Sequence, residues 1–229
     1  MGKLIVIEGT DGSGKQTQSN LLIDKLKQDN IFCDKMSFPN YDSASGKIVG
    51  GPYLGKEYIS ESFFSEGASN VDPLVSCCYF GADRRYSLPL LKEKLNKNKI
   101  VILDRYVASN MAHQGGKLDS KEKRKLLFDK LDYFEFSFLE LPRPDLTIFL
   151  HLPYVVSLET LISRGEQLDG HESNPLHLKN AEETYLQLAD YYHWDVIDCM
   201  QKNKPLKREF MRSREDIFNE LYFKILKIL

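Results

Sequence analysis

Gly9-Thr10-Asp11-Gly12-Ser13-Gly14-Lys15 lies between the short apolar run Leu4–Ile7 and a segment with helical spacing, Gln16–Asn30. Glycines let successive backbone N–H groups curl around a phosphate, and the N-terminus of the following helix adds partial positive charge. A lysine at the end of such a loop reaches the outer phosphates of a nucleotide. The spacing Gly-x-x-x-x-Gly-Lys between a strand and a helix therefore predicts a triphosphate-binding loop rather than a plain glycine turn.

The residue after this loop departs from the usual pattern. Such loops normally continue with Ser or Thr, whose hydroxyl binds Mg²⁺, whereas this chain has Gln16, and Thr17 comes one place late. Because a helix turns about 100° per residue, Thr17 does not simply replace its neighbour. Mg²⁺ takes oxygen ligands and keeps several waters, so we expect the side-chain oxygen of Gln16 to hold it directly or through a water.

Apolar runs and helical segments alternate along the chain, which predicts a parallel sheet covered by helices on both faces. No internal repeat or low-complexity linker interrupts residues 1–229, so we expect one α/β domain. The predicted strands are Leu4–Ile7, Ile100–Leu103 and Leu146–Leu152, with weaker candidates at Ile31–Phe38 and Trp194–Cys199. The predicted helices are Gln16–Asn30, Pro73–Asn98, Ser120–Leu139, Val155–Ser163, Lys179–Tyr192 and Ser213–Leu229.

A second polar group follows the predicted strand Ile100–Leu103, where Asp104 and Arg105 come in succession. In open parallel sheets ligands bind beyond the carboxyl ends of the strands, so we expect both residues beside the phosphate loop. A carboxylate there can hold the water shell of a metal, and the planar guanidinium matches phosphate oxygens. In a chain without the phosphate loop, a plain salt bridge would be the better interpretation.

Composition and charge exclude several classes of protein. The formal net charge of -2 provides no general field for a nucleic-acid backbone or an anionic membrane. The apolar run near the N-terminus is too short for a membrane span or a signal peptide. Four cysteines without metal-binding spacing fit a reducing cytoplasm, and we expect Cys77 and Cys78 to be buried on a helix.

Six segments, in this order and spacing, resemble the thymidylate kinase family: GTDGSGK (9–15), FPNYDSASGK (38–47), YL (53–54), DP (72–73), YFGADRR (79–85) and DRYVASNMAHQGG (104–116). The resemblance runs from Leu4 to about Asp198. It implies a three-layer P-loop kinase fold with a five-stranded parallel sheet, a flexible lid at about 164–178, and a homodimer. It also implies ATP and Mg²⁺ as cofactors and a deoxynucleoside monophosphate, thymidylate in particular, as phosphoryl acceptor.

The resemblance also implies roles for individual residues. Asp11 matches an acidic residue near the acceptor phosphate, and Arg105 matches the arginine that holds this phosphate. Phe80 matches an aromatic residue that stacks on the base, and Arg84 matches an arginine that bonds a base oxygen. Four residues apart on a helix, Phe80 and Arg84 share a face. The expected catalytic residues are Lys15, Arg105, Asp11 and Arg164; the expected metal ligands are Gln16 and Asp104; the expected donor site is Gly9, Thr10, Asp11, Gly12, Ser13, Gly14, Lys15, Gln16 and Thr17; and the expected acceptor site is Phe38, Pro39, Tyr53, Phe80, Arg84, Arg105, Tyr106, Ser109 and Gln114.

Departures from the family pattern leave alternatives open. Tyr41 stands where relatives often have an arginine, Gly12 stands where some have one in the phosphate loop, and the lid offers Arg164 as its arginine. The alternatives are a kinase for another nucleotide or a deoxynucleoside, and a nucleotide-binding regulatory protein without an acceptor. A nucleic-acid module lacks the basic stripe that it needs, because the basic run Lys202–Arg214 is typical of solvated surface.

Overall fold

The computed structural model describes residues 2–163 and 174–229, and a sheet of five parallel strands lies at its centre. The strands are β1 (Lys3–Gly9), β2 (Cys33–Ser37), β3 (Ile100–Asp104), β4 (Leu146–His151) and β5 (Asp195–Asp198). Their order across the sheet is β2-β3-β1-β4-β5, and each neighbouring pair is parallel. The predicted sheet is confirmed, including its two weaker strands.

Eight α-helices connect and cover the strands in the described residues. They are α1 (Lys15–Gln28), α2 (Ala44–Ile48), α3 (Pro73–Lys97), α4 (Val107–Gly115), α5 (Lys121–Asp132), α6 (Tyr154–Ser163), α7 (Pro175–Tyr191) and α8 (Arg214–Leu226). Two π-helical segments, Val49–Tyr53 and Tyr133–Phe138, extend α2 and α5. The sequence analysis did not predict α4, because its polar residues, such as Ser109 and Gln114, suggest a loop by themselves, whereas the structure buries all nine residues of the helix.

The helices form two outer layers, because side chains alternate along each strand between the two faces of the sheet. Leu4 and Val6 pack with α3, α4, α5 and α7, whereas Ile5 and Ile7 pack with α1, α6 and α8. The three-layer α/β arrangement is therefore as predicted. Because all five strands are parallel, their last residues lie at the same edge of the sheet.

One local prediction is wrong, and another falls mostly outside the described residues. Residues 175–178, expected at the end of the lid, form the first turn of α7, and the side chain of Asn174 caps that helix by accepting the His177 N–H at 3.1 Å. The rest of the expected lid, residues 164–173 with Arg164, lies outside the described residues. Cys77 is buried as expected, but Cys78 is exposed, because adjacent helical residues point in directions about 100° apart.

Residues 200–212, which matched no motif, form a hairpin beside the phosphate-loop side of the sheet. Met200 and Met211 make an antiparallel bridge, and the Thr160 hydroxyl of α6 lies 3.8 Å from the Met211 sulfur. The residues between them are mostly exposed. Within the described residues, no helix combines the length and the apolar character that a membrane crossing requires.

A fully buried ion pair links α3 to the π-helical segment after α5. Arg84 is 2% exposed and Glu135 is 0% exposed. The Arg84 Nε donates to the Glu135 carboxylate at 2.8 Å, and a second guanidinium nitrogen makes a very short contact with the other oxygen. Asn110 on α4 donates to the same carboxylate at 3.2 Å. Three separate segments are therefore held together around one buried charge.

Replacement of Glu135 by Gln leaves the Arg84 charge buried without its counter-ion. We expect the free energy of unfolding to fall by about 3–5 kcal/mol, the usual cost of breaking a buried pair from one side. Urea denaturation followed by circular dichroism measures it. Glu140→Gln is the matched control, because Glu140 pairs with Arg85 on the surface, where both side chains are largely exposed, and its loss changes little. Equal stability of Glu135→Gln and the parent protein would contradict the expectation.

Candidate active site

The parallel register brings the polar ends of three strands together at the carboxyl edge of the sheet. Ile7, just before the phosphate loop, pairs with Asp104 at the end of β3, and Asp104 also pairs with Ser37 at the end of β2. Phe38 and Pro39 follow β2 directly. The prediction that Asp104 and Arg105 lie beside the phosphate loop is therefore correct in its geometry.

The phosphate loop has the conformation that its glycines permit. Gly12 and Gly14 have φ angles of 78° and 85°, in the left-handed region that side chains disfavour. Helix α1 begins at Lys15 without a side-chain cap, so its first N–H groups point into the loop. The Ser13 hydroxyl is buried and has no hydrogen-bond partner among the described residues. Unpaired donors at a helix N-terminus suit an oxyanion.

Lys15 lies inside the same loop. Its Nζ donates to the Thr10 carbonyl at 2.9 Å, and the side chain is buried. Burial, with a smaller contribution from Arg105, lowers the pKa of Lys15 to about 8. The lysine is therefore still charged at neutral pH, but it loses its proton far more easily than a surface lysine.

Arg105 has an unusual backbone and several side-chain contacts. Its φ of 66° lies in the left-handed region, which costs a non-glycine residue about 1–2 kcal/mol and recurs at functional sites. The guanidinium forms an ion pair with Asp11 of the phosphate loop. Its Nη1 also lies 3.2 Å from the Ser109 hydroxyl, 3.3 Å from the Tyr185 hydroxyl and 3.4 Å from Nε2 of His113. Arg105 is therefore aimed at the phosphate loop from the neighbouring strand.

Glu8, the residue before the phosphate loop, accepts hydrogen bonds from the groups that surround Arg105. It is 0% exposed. Its carboxylate accepts the Tyr106 N–H at 2.8 Å, the Ser109 N–H at 3.2 Å, the Ser109 hydroxyl at 2.6 Å and the Tyr185 hydroxyl at 3.0 Å. Burial raises the pKa of Tyr185 well above its usual value, so its hydroxyl stays protonated and can donate. Glu8 thus joins β1, α4 and α7 beneath Arg105.

A cavity opens next to Arg105 and contains most of the predicted acceptor residues. Its lining is Asp11, Phe38, Pro39, Tyr41, Leu54, Phe80, Arg84, Arg105, Tyr106, Ser109, Asn110 and His113. Tyr53 does not line the cavity, because it is buried and bonded to the Ala68 carbonyl at 3.0 Å. Gln114 follows the lining residue His113 in the sequence but does not itself line the cavity. It is fully buried, and its side-chain amide has no hydrogen-bond partner within residues 2–163 and 174–229.

A second cavity of about 300 Å³ lies on the other side of Tyr106 and is larger. Its charged groups are already paired: Arg143 with Asp132 at 2.6 Å, and Asp195 with Lys224 at 2.6 Å. It has no residue of the phosphate loop in its lining. The smaller cavity, which contains Asp11 and Arg105, is therefore the one that chemistry favours.

The predicted metal ligands are oxygen donors near the loop. The Gln16 side chain is exposed and makes no hydrogen bond to any described residue, and Thr17 beside it is half-buried. Asp104 is half-buried and close enough to Lys15 and Arg105 to influence both. In the described part of the chain, no three or more His, Cys, Asp or Glu side chains are grouped so that they could hold a metal ion by themselves. This sparse oxygen set fits Mg²⁺, which binds through one or two protein groups, waters and substrate phosphates.

The sequence analysis missed six residues that the structure brings to the site, namely Glu8, Tyr41, Leu54, Asn110, His113 and Tyr185. A charged residue at the end of the apolar run Leu4–Ile7 was the signal for Glu8. His113 and Asn110 lie inside a quoted motif but were not singled out. Tyr185 is 177 positions from Glu8, and no local pattern could have indicated their contact.

Comparison with known proteins identifies the family of the chain. The family model described as thymidylate kinase matches residues 7–210. Human thymidylate kinase is 29% identical over 219 residues, which are 94% of this chain and 91% of the human protein. A probable thymidylate kinase of Methanocaldococcus jannaschii is 31% identical over 218 residues, covering 95% of this chain and 92% of that protein. The solved structure of thymidylate kinase from Candida albicans, 23% identical, matches with a TM-score of 0.70 over 99% of this chain and 92% of that one, and supports the fold.

Because the pKa of Lys15 is lowered, we expect the affinity for ATP to depend on pH. Below pH 8 the lysine is charged and attracts the triphosphate; above pH 8 it is neutral in the free protein, and charging it on binding then costs free energy. We expect the affinity for ATP to be level from pH 7 to 8 and to fall by up to tenfold per unit above pH 8. Isothermal titration calorimetry from pH 7 to 9.5 measures it.

Lys15→Met is the control for this experiment. It is expected to bind ATP more weakly at pH 7.5 and to lose the decline above pH 8. The same decline in both proteins would mean that another group titrates.

Proposed function

The chain belongs to the thymidylate kinase family, and on that premise we propose that it transfers the γ-phosphoryl group of ATP to thymidine 5′-monophosphate, giving thymidine 5′-diphosphate. One observation carries the proposal: Arg105, at the end of β3, is ion-paired across the site to Asp11 of the phosphate loop. A loop for one nucleotide and a guanidinium for the phosphate of another thus share one cleft.

The phosphate loop is the proposed donor site. The N–H groups from Gly9 to Thr17 surround the β- and γ-phosphates, and Lys15 neutralises the outer oxygens. The Ser13 hydroxyl, unpaired among the described residues, supplies a further donor in this cradle. These groups hold the triphosphate with its γ-phosphorus towards Arg105.

The cavity beside Arg105 is the proposed acceptor site. Arg105 holds the acceptor phosphate, and Asp11 releases the guanidinium as the phosphate arrives. Tyr106 and Phe38, whose ring centroids are 5.8 Å apart, pack beside the sugar, and Phe80 stacks on the base. Arg84 has five N–H donors, of which Glu135 takes two, so it still has donors for a base oxygen.

Three of the predicted site residues are not among those that line the described cavity. Tyr53 and Gln114 do not line the cavity in this conformation, so they would act on the acceptor through their neighbours. Arg164 lies outside the described residues.

The reaction needs alignment and charge more than covalent help from the protein. The acceptor phosphate has a second pKa of about 6, so it is mostly dianionic at neutral pH and needs no general base. The transition state is loose, and Lys15 and Arg105 neutralise the charge on the equatorial and acceptor oxygens. Glu8 and Ser109 keep the guanidinium oriented.

Gln16 and Asp104 are the proposed protein ligands of Mg²⁺, directly or through waters. Mg²⁺ held there would neutralise negative charge on the phosphates of ATP. We further propose one catalytic domain over residues 1–229, a cytoplasmic location and a homodimer. Val75, Ala82, Tyr86 and Leu90 form an exposed, mainly apolar flank of α3 that suits contact with a second copy.

An acceptor panel tests the proposed function. With ATP and Mg²⁺, we expect thymidylate to give the highest kcat/KM among the deoxynucleoside and nucleoside monophosphates, and thymidine to give no product. Chromatography of the nucleotides measures both ATP loss and diphosphate formation. Another monophosphate ahead of thymidylate would support a different nucleotide kinase, and ATP binding without any phosphorylated product would support a regulatory protein.

The Arg105→Lys variant ties that activity to the site. Lysine keeps the charge but loses the planar fork, so kcat/KM for thymidylate is expected to fall by about 10²-fold. Arg85→Lys, a change of the same type on the exposed side of α3, is the control and keeps parental activity. Full activity of Arg105→Lys would show that the acceptor phosphate binds elsewhere.

The role of Gln16 is tested by the Mg²⁺ dependence of the rate. We expect Gln16→Ala to raise the half-saturating Mg²⁺ concentration by about fivefold, because one oxygen ligand is lost. Gln16→Thr replaces the amide oxygen by a hydroxyl ligand, so its half-saturating Mg²⁺ concentration is expected to stay below that of Gln16→Ala. Asn20→Ala, a polar exposed residue further along α1, is the control. Unchanged Mg²⁺ dependence in both Gln16 variants would remove Gln16 from the metal's surroundings.

A further inference from the structure

A buried carboxylate on α3 has no role in the mechanism above. Asp83 is 1% exposed and does not line the acceptor cavity, although its neighbours in the helix, Phe80 and Arg84, both do. All its hydrogen bonds within residues 2–163 and 174–229 come from one short segment, residues 40–45, which follows β2. A buried carboxylate is costly unless donors satisfy it, so the burial of Asp83 and the position of this segment depend on each other.

Two donors of the segment bind the two oxygens of Asp83 separately. The Asn40 backbone N–H donates to Oδ2 at 2.8 Å, and the Ser45 hydroxyl donates to Oδ1 at 2.8 Å. The Ser43 hydroxyl also lies 3.1 Å from Oδ1. Hydrogen bonds to an ionised carboxylate are about twice as strong as those between neutral groups. Asp83 therefore holds both ends of segment 40–45 against α3.

The same face of α3 holds Asn40 a second time. Ser87 is one helical turn after Asp83, so the two side chains share a face. The Asn40 side-chain amide donates to the Ser87 hydroxyl at 3.3 Å, and Ser87 is 4% exposed. The segment itself is tightly folded, because a Cβ atom on Gly46 would lie 1.8 Å from the Asn40 carbonyl oxygen. Segment 40–45 therefore has little room to shift against α3.

This contact joins two groups of residues that line the acceptor cavity. The first group adjoins or belongs to the segment and the second lies on α3: Phe38, Pro39 and Tyr41 in the first, Phe80 and Arg84 in the second. The Phe38 N–H donates to the Asp104 carbonyl at 3.1 Å, which fixes the first group to β3. Asp83 fixes the same group to α3. The spacing between the two groups therefore depends on the hydrogen bonds of Asp83.

We propose that Asp83 is a positioning residue for the acceptor nucleotide. Its carboxylate holds segment 40–45 at the distance from α3 at which the sugar and base of the acceptor fit between the two groups of lining residues. Asp83 itself makes no bond to the acceptor. The phosphate loop takes no part in this contact, so Asp83 acts on the acceptor and not on ATP. This inference rests on the acceptor site proposed above.

Steady-state kinetics of the Asp83→Asn variant test this role. Asparagine keeps the shape of the side chain but loses the charge and one acceptor. We expect KM for thymidylate to rise about tenfold, kcat to fall less than about threefold and KM for ATP to change less than about twofold. A residue that only stabilised the fold would instead reduce the amount of active protein, which lowers the apparent kcat and leaves KM for thymidylate unchanged.

Asp42→Asn is the matched control, because it is the same change in the same segment. Asp42 is exposed, so its charge is already solvated. We expect parental KM values for thymidylate and ATP.

The Ser45 side of the contact provides a second test, which does not require Asp83→Asn to fold. Ser45→Ala removes one donor and is expected to raise KM for thymidylate about fivefold, whereas Ser45→Thr keeps the hydroxyl and is expected to keep KM within about twofold of the parental value. Added to Asp83→Asn, Ser45→Ala is expected to raise KM by less than about twofold more, because it removes a bond that is already weakened.

A parental KM for thymidylate in Asp83→Asn or in Ser45→Ala would overturn the role of Asp83 while leaving the kinase activity standing. If the parent protein prefers another nucleoside monophosphate, the same comparison with that acceptor tests Asp83. Absence of phosphoryl transfer to any acceptor would overturn the acceptor site itself, and the role of Asp83 with it.

Discussion

The site depends on one buried carboxylate, that of Glu8. A carboxylate without solvent is expensive to bury, and only several hydrogen bonds together offset that cost. Two backbone N–H groups and two hydroxyls, from α4, its preceding turn and α7, provide those bonds. If any of these elements moved away, the charge would lose donors. Correct folding of β1 therefore also sets the distance between the phosphate loop and Arg105.

Arg105 is held in place by a strained backbone and a dense set of acceptors. Its left-handed conformation is stable because the surrounding bonds over-determine it: its own N–H donates to Ile7 at 3.1 Å, and the next N–H donates to Glu8. Such preorganisation suits phosphoryl transfer, in which little covalent chemistry falls to the protein and the rate depends on alignment.

Local patterns in the sequence predicted the strands, most helices and the phosphate loop, because each depends on residues close together along the chain. The parallel sheet then brought Asp104 and Arg105 to the loop by a general rule of such folds. Contacts between distant segments were out of reach. The Arg84–Glu135 pair joins residues 51 positions apart, and Arg84 by itself resembled a solvated helical residue. Helix α4 was missed because its polar residues Ser109 and Gln114 suggest a loop by themselves, although both are buried in the helix.

Among the residues that the structure describes, carboxylates outnumber cations around the phosphate loop. Asp11, Glu8 and Asp104 lie near Lys15 and Arg105, although two polyanionic nucleotides have to bind there. The carboxylates are nevertheless required, since Asp11 holds Arg105 and Glu8 positions its neighbours. The low pKa of Lys15 indicates the same tension, because burial already weakens its hold on a proton. A divalent ion that arrives with the donor nucleotide would therefore offset part of the negative charge that the two nucleotides bring.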